Sequence, residues 1–492
     1  MLFLGSKKYP NPTGFVDYIS KNFGKFNGFT DFEVTGFFFK VVTEAFHKGF
    51  DLFANFFIDP LFDKTYYIKE VNSVNSEFER NIQSDKKRKE QVLRDNANKG
   101  SLFNKFSTGN TNTLLGYTKA NGISLRDEVI KYFKKNYRID NMKVVIYGNE
   151  DVSIYKKLVE ETFRHVERPA SLYNKEAPAR NEAFNESNLG RLILYKTIND
   201  HQKLDISIKI PDIHKGLPNN QSLLYRLLIC KKGKGSLNDI LKEKGYLIDL
   251  KCGVRRVYNG LSLFKLGGFI TIKGIKNVDK VLTTIYGYIN NLKSLVLDEK
   301  IYNFYRKALS RRFQYSHRNE RIMKFMKHIC IGIWKYPLKY ILAKHSLLPE
   351  YDASSITKFS NLLTLSNSVI LIGNKKFTNK TLKRYNQFID NFETSSLFKK
   401  QDNWYHTKYS PLKFASSLIE STSSTILDVK INLYRTTEKD FAKNISLVKR
   451  CEEDQIESCI NNMEHDNNFL KPVLIKNDEN MQCWYKVITY NY

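Results

Sequence analysis

The chain is poor in cysteine, glycine and proline for its length, and it lacks long apolar runs. Its 492 residues include 6 Cys, none in a Cys-x-x-Cys pair, which excludes a disulfide scaffold and favours a reduced, cytoplasmic setting. The 24 Gly and 11 Pro are too few for a collagen-like or proline-rich architecture. No apolar run approaches the roughly 18 residues that a membrane span requires, so we expect no membrane partner.

Acidic residues are also fewer than basic ones. Lysine and arginine number 79 against 51 aspartate and glutamate, which gives a net charge of +28. The densest basic run, Lys86-Lys87-Arg88-Lys89, is followed at once by Glu90, and no zinc-finger spacing or RNA-binding aromatic signature accompanies it. We therefore expect a basic but ordinary globular surface and no nucleic-acid partner. A steep salt dependence of binding to duplex DNA would revive that class.

Hydrophobic spacing predicts two similar α+β units. Each ends in an apolar run followed by glycine, residues 143–148 in the first unit and 369–373 in the second. Each unit is expected to hold a mixed or antiparallel sheet that helices cover on one face. From about residue 400 onward the chain is polar and irregular, which suggests a connector and the start of a third unit. The predicted domains are residues 1–172, 185–400 and 401–492, with the best linker candidate at 168–188.

Two glutamates lie on a long helix predicted over about residues 64–98. The helix has one buried stripe at helical spacing, formed by Tyr67, Val71, Val74 and Phe78. Glu70 and Glu77 are seven residues apart, so at about 3.6 residues per turn they point within about 20° of each other. Such a pair is most often a solvated helix edge. The alternative is a carboxylate offered to a site as a metal ligand or base.

Motifs of the common enzyme mechanisms are missing. Gly233-Lys234-Gly235-Ser236 does not have the spacing of a phosphate-binding loop, so nucleotide binding is not expected. The sequence has no Gly-x-Ser-x-Gly, and its 9 His form neither HExxH nor HxxEH. The residues alone therefore give no complete metal site and no catalytic triad.

Seven segments carry a resemblance to a known family: Glu70-Val71-Asn72-Ser73-Val74-Asn75-Ser76-Glu77 and residues 1–10, 27–30, 54–62, 103–110, 233–237 and 241–246. Together they resemble the insulinase, or pitrilysin, family of zinc metallopeptidases, which are inverted zincins. The segment Glu70–Glu77 is similar to the family helix that reads EVNAVDSE. The match covers most of residues 1–390 and continues weakly to the end.

The resemblance implies roles for six residues. Glu77 corresponds to the glutamate zinc ligand of the family, and Glu70 corresponds to the supporting glutamate one helical repeat earlier. The strand that holds a substrate peptide corresponds to Asn27, Gly28, Phe29 and Thr30, and the peptide would bind there as an added strand. In the complete family enzyme, zinc and the glutamate of HxxEH activate a water for attack on a peptide carbonyl.

The sequence also departs from the family pattern. The HxxEH motif would lie immediately before Met1, and the second half of the family enzyme is missing. Since a zinc site needs three protein ligands, we assign no catalytic residue and expect no tight zinc binding and no hydrolysis by these residues alone. Lys251-Cys252-Gly253-Val254 stands where the family has a Gly-Gly pair, and Lys232 replaces an acidic residue. These lysines would repel the α-amino group that the family anchors there.

Two functional hypotheses stay open. The first is a zinc-dependent metalloendopeptidase, a hydrolase acting on peptides or small unfolded proteins, of which this chain is an incomplete piece. The second is a degenerate, non-catalytic paralogue that binds peptides or pairs with an active subunit. The partners considered are a substrate peptide, a second copy of the chain and a complementing second half.

Overall fold

A computed structural model gives the fold of residues 5–164, 166, 182–212, 221–314, 322–343, 346–429, 431, 473–478 and 481–485. Residues 1–4 of the first similarity segment, most of the linker candidate and residues 486–492 lie outside the described residues. The chain forms two compact units, Met1–Ile431 and Asn432–Tyr492, and its class is α+β as predicted. This division does not test the predicted domain boundaries, which stay predictions.

The amino-terminal part of the Met1–Ile431 unit carries a hairpin and several helices. Its elements are α1 (Gly14–Lys21), β1 (Lys25–Thr30), β2 (Thr35–Lys40), α2 (Phe46–Ile58), α3 (Tyr66–Ile82), α4 (Asp85–Asp95), α5 (Tyr117–Ala120), α6 (Leu125–Asn136) and α7 (Val152–Phe163). Short 3-10 turns lie at Thr43–Ala45, Leu102–Asn104 and Ile139–Asn141, and a π-helical turn at Asn112–Gly116.

Phenylalanines make the core around the β1–β2 hairpin. Phe15 and Ile19 of α1 are buried, and the Phe15 ring lies 5.3 Å from the Phe26 ring and 5.2 Å from the Phe56 ring, centroid to centroid. The strands pair antiparallel from Lys25 opposite Lys40 to Thr30 opposite Thr35. β1 and β2 therefore form a hairpin, one face of which is covered by α1 and α2.

The long helix predicted over residues 64–98 is two helices. Ser84 adopts an extended backbone (φ −101°, ψ 107°), and its carbonyl accepts the amide of Arg88 at 2.9 Å, which starts a new helix. Serine competes for backbone hydrogen bonds and favours such helix starts. α4 is therefore a separate helix, and its buried side packs against the following sheet.

Residues 143–148, predicted as a strand, are not one. They belong to none of the three sheets formed by the described residues. A strand is defined by the ladder it shares with a neighbour, and an apolar run with β-forming residues lacks regular structure where no neighbour pairs with it. The residues are apolar and β-forming as described from the sequence, but the prediction that they form a strand is wrong.

A seven-stranded mixed sheet dominates the rest of this unit. The strands are β3 (Arg191–Lys196), β4 (Lys203–Ile210), β5 (Lys251–Tyr258), β6 (Leu261–Phe269), β7 (Ser368–Asn374), β8 (Lys400–Gln401) and β9 (Lys408–Lys413). The helices are α8 (Gln221–Ile229), α9 (Leu237–Glu243), α10 (Ile272–Lys276), α11 (Val278–Val296), α12 (Glu299–Gln314), α13 (Ile322–Lys335), α14 (Ala353–Ser360), α15 (Asn379–Leu382) and α16 (Ser416–Ser424). Further 3-10 turns lie at Leu338–Tyr340, Lys383–Gln387 and Thr394–Ser396.

The sheet order is β5-β6-β4-β7-β3-β9-β8, with β3 and β7 parallel and all other neighbours antiparallel. The central strand β7 is buried at every residue, which is typical of a strand covered on both faces. On one face the hydroxyls of Tyr286 on α11 and Ser368 on β7 are 2.6 Å apart. On the other, Val369 and Leu371 share a core cluster with Val92 of α4. The helix α4 thus joins the amino-terminal part to this sheet.

The chain beyond residue 400 is not irregular at first, which corrects the sequence prediction. Strand β9 pairs with β3 from Arg191 opposite Lys413 to Tyr195 opposite Tyr409. Phe184, within the linker candidate at 168–188, is buried in the core shared with α4, so this part of the candidate packs into the unit.

In the Asn432–Tyr492 unit, β10 (Val473–Asp478) and β11 (Met481–Tyr485) form an antiparallel pair. No helix in the described part of the chain combines the length and the apolar character needed to cross a bilayer.

Candidate functional site

Glu77 lies on the exposed side of α3, beside residues that anchor the helix. Val71 and Phe78 of the same helix are buried, and the Phe78 ring stacks on Tyr405 with centroids 5.7 Å apart. The Glu77 carboxylate makes no hydrogen bond or ion pair with another described residue. It lines a cleft of about 700 Å³ between the amino-terminal part and the seven-stranded sheet. A carboxylate held on a rigid helix and facing an open cleft is available to a ligand.

Strand β1 forms a second wall of the same cleft. Gly28, Phe29 and Thr30, three of the four predicted substrate-strand residues, line it together with Glu77. The backbone of residues 27–30 forms its ladder with β2 and makes no backbone hydrogen bond to any other described residue. As far as the described residues go, one edge of β1 is therefore open to an added strand.

Asn27 and Glu70, the other two predicted residues, are placed differently. Neither lines the cleft. The Asn27 side-chain oxygen accepts the amide of Gly28 at 2.8 Å, so that amide already has a local partner. Glu70 is half-buried one helical repeat before Glu77. The roles assigned to these residues from the resemblance stay predictions.

One end of the cleft is aromatic. Helix α6 supplies Val129, Tyr132 and Phe133, and Tyr137 and Phe62 complete the surface. The Phe133 ring lies 5.2 Å from that of Phe62 and 4.9 Å from that of Tyr137. Burial raises the pKa of the Tyr137 phenol to about 12, so the group stays neutral at physiological pH. This end suits an apolar or aromatic peptide side chain.

Another part of the lining, called here the basic end, carries basic side chains. Lys87 and Arg94 of α4 and Arg255 of β5 line it, together with Glu90. Burial alone would raise the pKa of Glu90, but the charge of Arg255 and the hydrogen bond from it hold that pKa below its ordinary value. Arg94 stacks 4.8 Å from the Phe32 ring centroid. The net positive charge here favours an acidic ligand group.

Two of the four residues of the dense basic run, Arg88 and Lys89, are structural, which corrects the expectation of an ordinary basic surface at this point. The Arg88 guanidinium donates to the carbonyl of Tyr405 at 2.8 Å, and the Lys89 amine pairs with Asp205 at 2.5 Å. Asp85, just before the run, accepts the amide of Ile198 at 2.8 Å. The run is thus the part of α4 that packs on the following sheet.

Lys265 of β6 is a buried amine beneath this basic end. Burial, together with the nearby charges of Arg255 and Lys89, lowers its pKa to about 8, against the opposing effect of Glu90 and Asp205. Sequence reasoning did not identify this residue. Its only signal was a lysine in the middle of an otherwise apolar strand, Leu261–Phe269.

A disulfide joins the two segments in which the sequence departs from the family pattern. Cys230, directly after α8, is bonded to Cys252 of β5, with Cα atoms 5.9 Å apart. This contradicts the expectation that the cysteines are reduced. The two residues are 22 apart in sequence and share no motif, so only the fold reveals that they meet. Cys330 is a free thiol whose pKa burial raises.

The described residues do not form a metal centre by themselves. No group of three or more His, Cys, Asp or Glu side chains among them has a metal-binding arrangement. A zinc ion needs three protein ligands, so it does not fit the described residues alone. The role of Glu77 as one such ligand stays a prediction.

Models of one peptidase family match nearly the whole chain. Residues 1–107 match the description Insulinase (Peptidase family M16), residues 124–309 match Peptidase M16 inactive domain, and residues 312–487 match Middle or third domain of peptidase_M16. The chain belongs to the insulinase family. Strand β1 and helix α3 lie in the segment that matches the insulinase model, and the seven-stranded sheet begins in the segment that matches the inactive-domain model.

Curated relatives agree with this family. The A-factor-processing enzyme of Saccharomyces cerevisiae is 28% identical over 490 residues, which are 99% of this chain and 44% of that protein. The insulin-degrading enzyme of Homo sapiens is 28% identical over 436 residues, which are 88% of this chain and 40% of that protein. The chain therefore spans less than half the length of these insulinase relatives.

Solved structures show the same fold. The crystal structure of pitrilysin matches with a TM-score of 0.75 at 22% identity, covering 88% of this chain and 44% of that one. A protease from Helicobacter pylori matches with a TM-score of 0.56 at 14% identity, covering 76% of this chain and 86% of that one. At these identities the likeness establishes the architecture of this insulinase-family chain, not its chemistry.

Proposed function

We propose that this chain forms the peptide-binding side of a zinc-dependent metalloendopeptidase. In this proposal a peptide lies along the open edge of β1, and Glu77 is the carboxylate ligand that the chain contributes. The observation that carries the proposal is that Glu77 lines one cleft with Gly28, Phe29 and Thr30. The family of the chain and the names of its relatives support peptide substrates.

Peptide binding in the cleft uses ordinary strand addition. The backbone of the peptide would pair with the free groups of residues 27–30, and alternate side chains would point into the cleft. The aromatic end, with Phe62 and Phe133, would take an apolar side chain. The basic end, with Lys87 and Arg94, would take an acidic one. The Asn27 side chain must leave the Gly28 amide for that amide to join the added ladder.

The chemical step is not assigned to residues of this chain. Bound zinc would polarise the peptide carbonyl and the attacking water, and its remaining ligands and the general base would come from outside the described residues. The described residues of this chain would supply one zinc ligand, orient the peptide and exclude water from the cleft. Glu70 lies seven residues before Glu77 on the same helix. We propose that it supports the position of that ligand.

The experiment compares Glu77→Gln with Glu79→Gln in the protein isolated from its native source or expressed from its full gene. Glu79 is also an exposed glutamate of α3, so it is a matched control. We expect Glu77→Gln to lose bound zinc and to slow cleavage of a quenched fluorescent peptide by at least about 100-fold, since even outer-shell changes at zinc sites cost 10–100-fold. Glu79→Gln should keep the bound zinc and the rate of peptide cleavage. Equal zinc content and activity in the two variants would refute the ligand role.

The second hypothesis, a non-catalytic peptide-binding or partner subunit, is favoured by one observation. The Cys230–Cys252 disulfide, Lys232 and Lys251 lie in segments where the sequence departs from the family pattern. Intact mass and the amino-terminal peptide of the native protein separate the two hypotheses. A mass of 57.6 kDa, with peptide binding but no zinc and no cleavage, would support this second function over the first.

A further inference from the structure

A pocket of about 430 Å³ lies between α11 and α16, and we call it the α11–α16 pocket. Helix α11 packs on the sheet face opposite α4, through the contact between Tyr286 and Ser368. No residue of this pocket lines the cleft that contains Glu77, so the two sites are separate. The volume is within the range of pockets that enclose small molecules.

Two asparagines of α11 hold the walls of the pocket together. The Asn290 side-chain amide donates to the carbonyls of Thr422 and Thr425, at 3.0 and 2.9 Å, at the end of α16. The Asn291 side chain donates to the carbonyl of Leu427 at 2.7 Å and accepts the amide of the same residue at 2.8 Å. Bonds of this kind satisfy carbonyls that the end of a helix leaves unpaired. The walls are therefore fixed in advance, which lowers the cost of ordering them around a ligand.

Hydrogen-bond donors line the pocket on both helices. Lys280, Thr283 and Thr284 are three and four residues apart on α11, so they share one side of that helix. Ser417 and Ser421 are four residues apart and line the α16 wall. Within the described part of the chain, the Lys280 amine and the hydroxyls of Thr283, Ser417 and Ser421 have no hydrogen-bond or ion-pair partner. These groups are available to a ligand.

A second amine reaches the pocket from the residue directly after α9. The Lys244 Nζ lies 3.4 Å from the Thr284 hydroxyl, which donates its own hydrogen to the carbonyl of Lys280 at 2.7 Å. The Thr284 oxygen therefore accepts from Lys244 and holds that amine on the side of α11 that carries Lys280. Asp279 also lines the pocket, so its described lining carries two amines and one carboxylate. The balance of charge favours an anionic ligand group.

The remaining lining includes apolar surface. Tyr246, Phe388 and Leu418 are buried side chains that contribute to the wall of the pocket. The Lys273 amine lies 5.8 Å from the Tyr246 ring centroid and adds a positive charge nearby. An inorganic anion alone would leave the apolar wall in contact with water. The lining therefore favours an anionic group that is attached to an apolar body.

The donors suit a phosphate better than a carboxylate. A phosphate monoester carries a charge of about −1.5 to −2 at pH 7 and three strongly accepting oxygens. Two amines and three hydroxyls can serve all three oxygens, whereas a carboxylate offers two oxygens and one charge.

We propose that the α11–α16 pocket binds a free small molecule in which a phosphate monoester is attached to an apolar or aromatic body. Lys244 and Lys280 pair with the phosphate, and the hydroxyls of the two helices donate to its oxygens. Tyr246, Phe388 and Leu418 contact the apolar body. Because the pocket lies outside the cleft, the inference goes beyond the proposed function and does not depend on it.

The test measures the binding of phenyl phosphate to the 492-residue chain by ligand-observed NMR titration. Inorganic phosphate and phenol carry the two halves of this probe, and benzoate replaces its phosphate by a carboxylate. We expect phenyl phosphate to bind at least tenfold more tightly than either half and several-fold more tightly than benzoate. Absence of saturable binding would overturn the proposal. Equal affinity for inorganic phosphate would refute the role of the apolar wall, and equal affinity for phenol or benzoate would refute phosphate recognition.

Paired substitutions locate the site. Lys244→Gln with Lys280→Gln should weaken phenyl phosphate at least tenfold, and both lysines are exposed, so the fold should be retained. Lys119→Gln with Lys408→Gln removes the same charge at two exposed lysines elsewhere and should bind normally. Equal weakening by the two pairs would mean nonspecific attraction and would overturn the assignment. Glu77→Gln should also bind normally, since a change in that variant would place the ligand in the cleft.

Discussion

The carboxylate of Glu90 on α4 forms an ion pair with the guanidinium of Arg255 on β5, which bridges the insulinase domain and the following sheet. The pair is one of several such bonds, since Lys89 on the same helix pairs with Asp205 of β4. Glu90 and Arg255 line the basic end of the cleft, and Lys89 precedes Glu90 directly on α4. The geometry of the cleft therefore depends on charges that bind one domain to the next.

Replacing Glu90 by glutamine should destabilise the protein. Arg255 would remain close to Lys265 and Arg94 without its counter-charge, and the side chain of Arg255 is 40% exposed, so water offsets part of the loss. We expect a decrease of about 1–2 kcal/mol in the free energy of unfolding, measured with urea. Glu128→Gln, which breaks an exposed pair with Lys131, is the control and should change little. An equal effect of the two substitutions would contradict a structural role for the Glu90–Arg255 pair.

Lys265 should make stability rise with pH. The pKa of Lys265 is about 8 in the folded chain, whereas that of an ordinary lysine, as in the unfolded chain, is 10.5. At a pH between these two values the unfolded chain therefore binds more protons than the folded chain. The free energy of unfolding therefore increases from pH 8 to 10.5, by on the order of 3 kcal/mol from this group. Lys265→Met should be more stable than the parent at pH 7, and the difference should vanish by pH 10.5. A difference between the two proteins that is independent of pH would contradict the lowered pKa.

Local patterns in the sequence predict part of this fold well. Val71 and Phe78 in the stripe of α3 and the apolar run at residues 369–373 in β7 follow from spacing, because burial of these elements depends on their own side chains. The Glu77 carboxylate and β1 were connected only through a family resemblance, since nothing in the spacing brings residues 27–30 to residue 77.

Other features depend on partners far away in the chain. The Lys86–Lys89 run has the same local pattern whether it faces water or a sheet, and its partner Asp205 is 116 residues from Lys89. Residues 143–148 have strand composition, yet strand formation requires a neighbour that composition does not supply. Cys230 and Cys252 are paired by the position of β5 beside α8, which no cysteine spacing indicates.

The Cys230–Cys252 disulfide should add measurable stability. It closes a loop with a sequence separation of 22 residues, for which loop-closure entropy gives about 3 kcal/mol. The Cys230→Ser, Cys252→Ser protein should therefore unfold at lower urea concentration than the parent, and a reducing agent should lower the stability of the parent alone. Peptide mapping without reduction should recover the two cysteines in one linked fragment. Their recovery as separate peptides from oxidised protein would contradict the bond.

The packing of Gly36 against Phe29 gives a way to disturb the cleft without unfolding the domain. These residues face each other across β1 and β2, and a Cβ at Gly36 would lie 2.4 Å from the Phe29 ring. Only the far end of a flexible side chain is struck, so Gly36→Ala should keep the fold and turn the ring out of its place in the cleft. We expect roughly tenfold weaker binding of a neutral aromatic peptide, in line with the loss of one aromatic contact. Gly116→Ala, where a Cβ meets no atom within 4 Å, is the control and should bind normally. Normal peptide affinity in Gly36→Ala would show that the Phe29 ring does not contact the bound peptide.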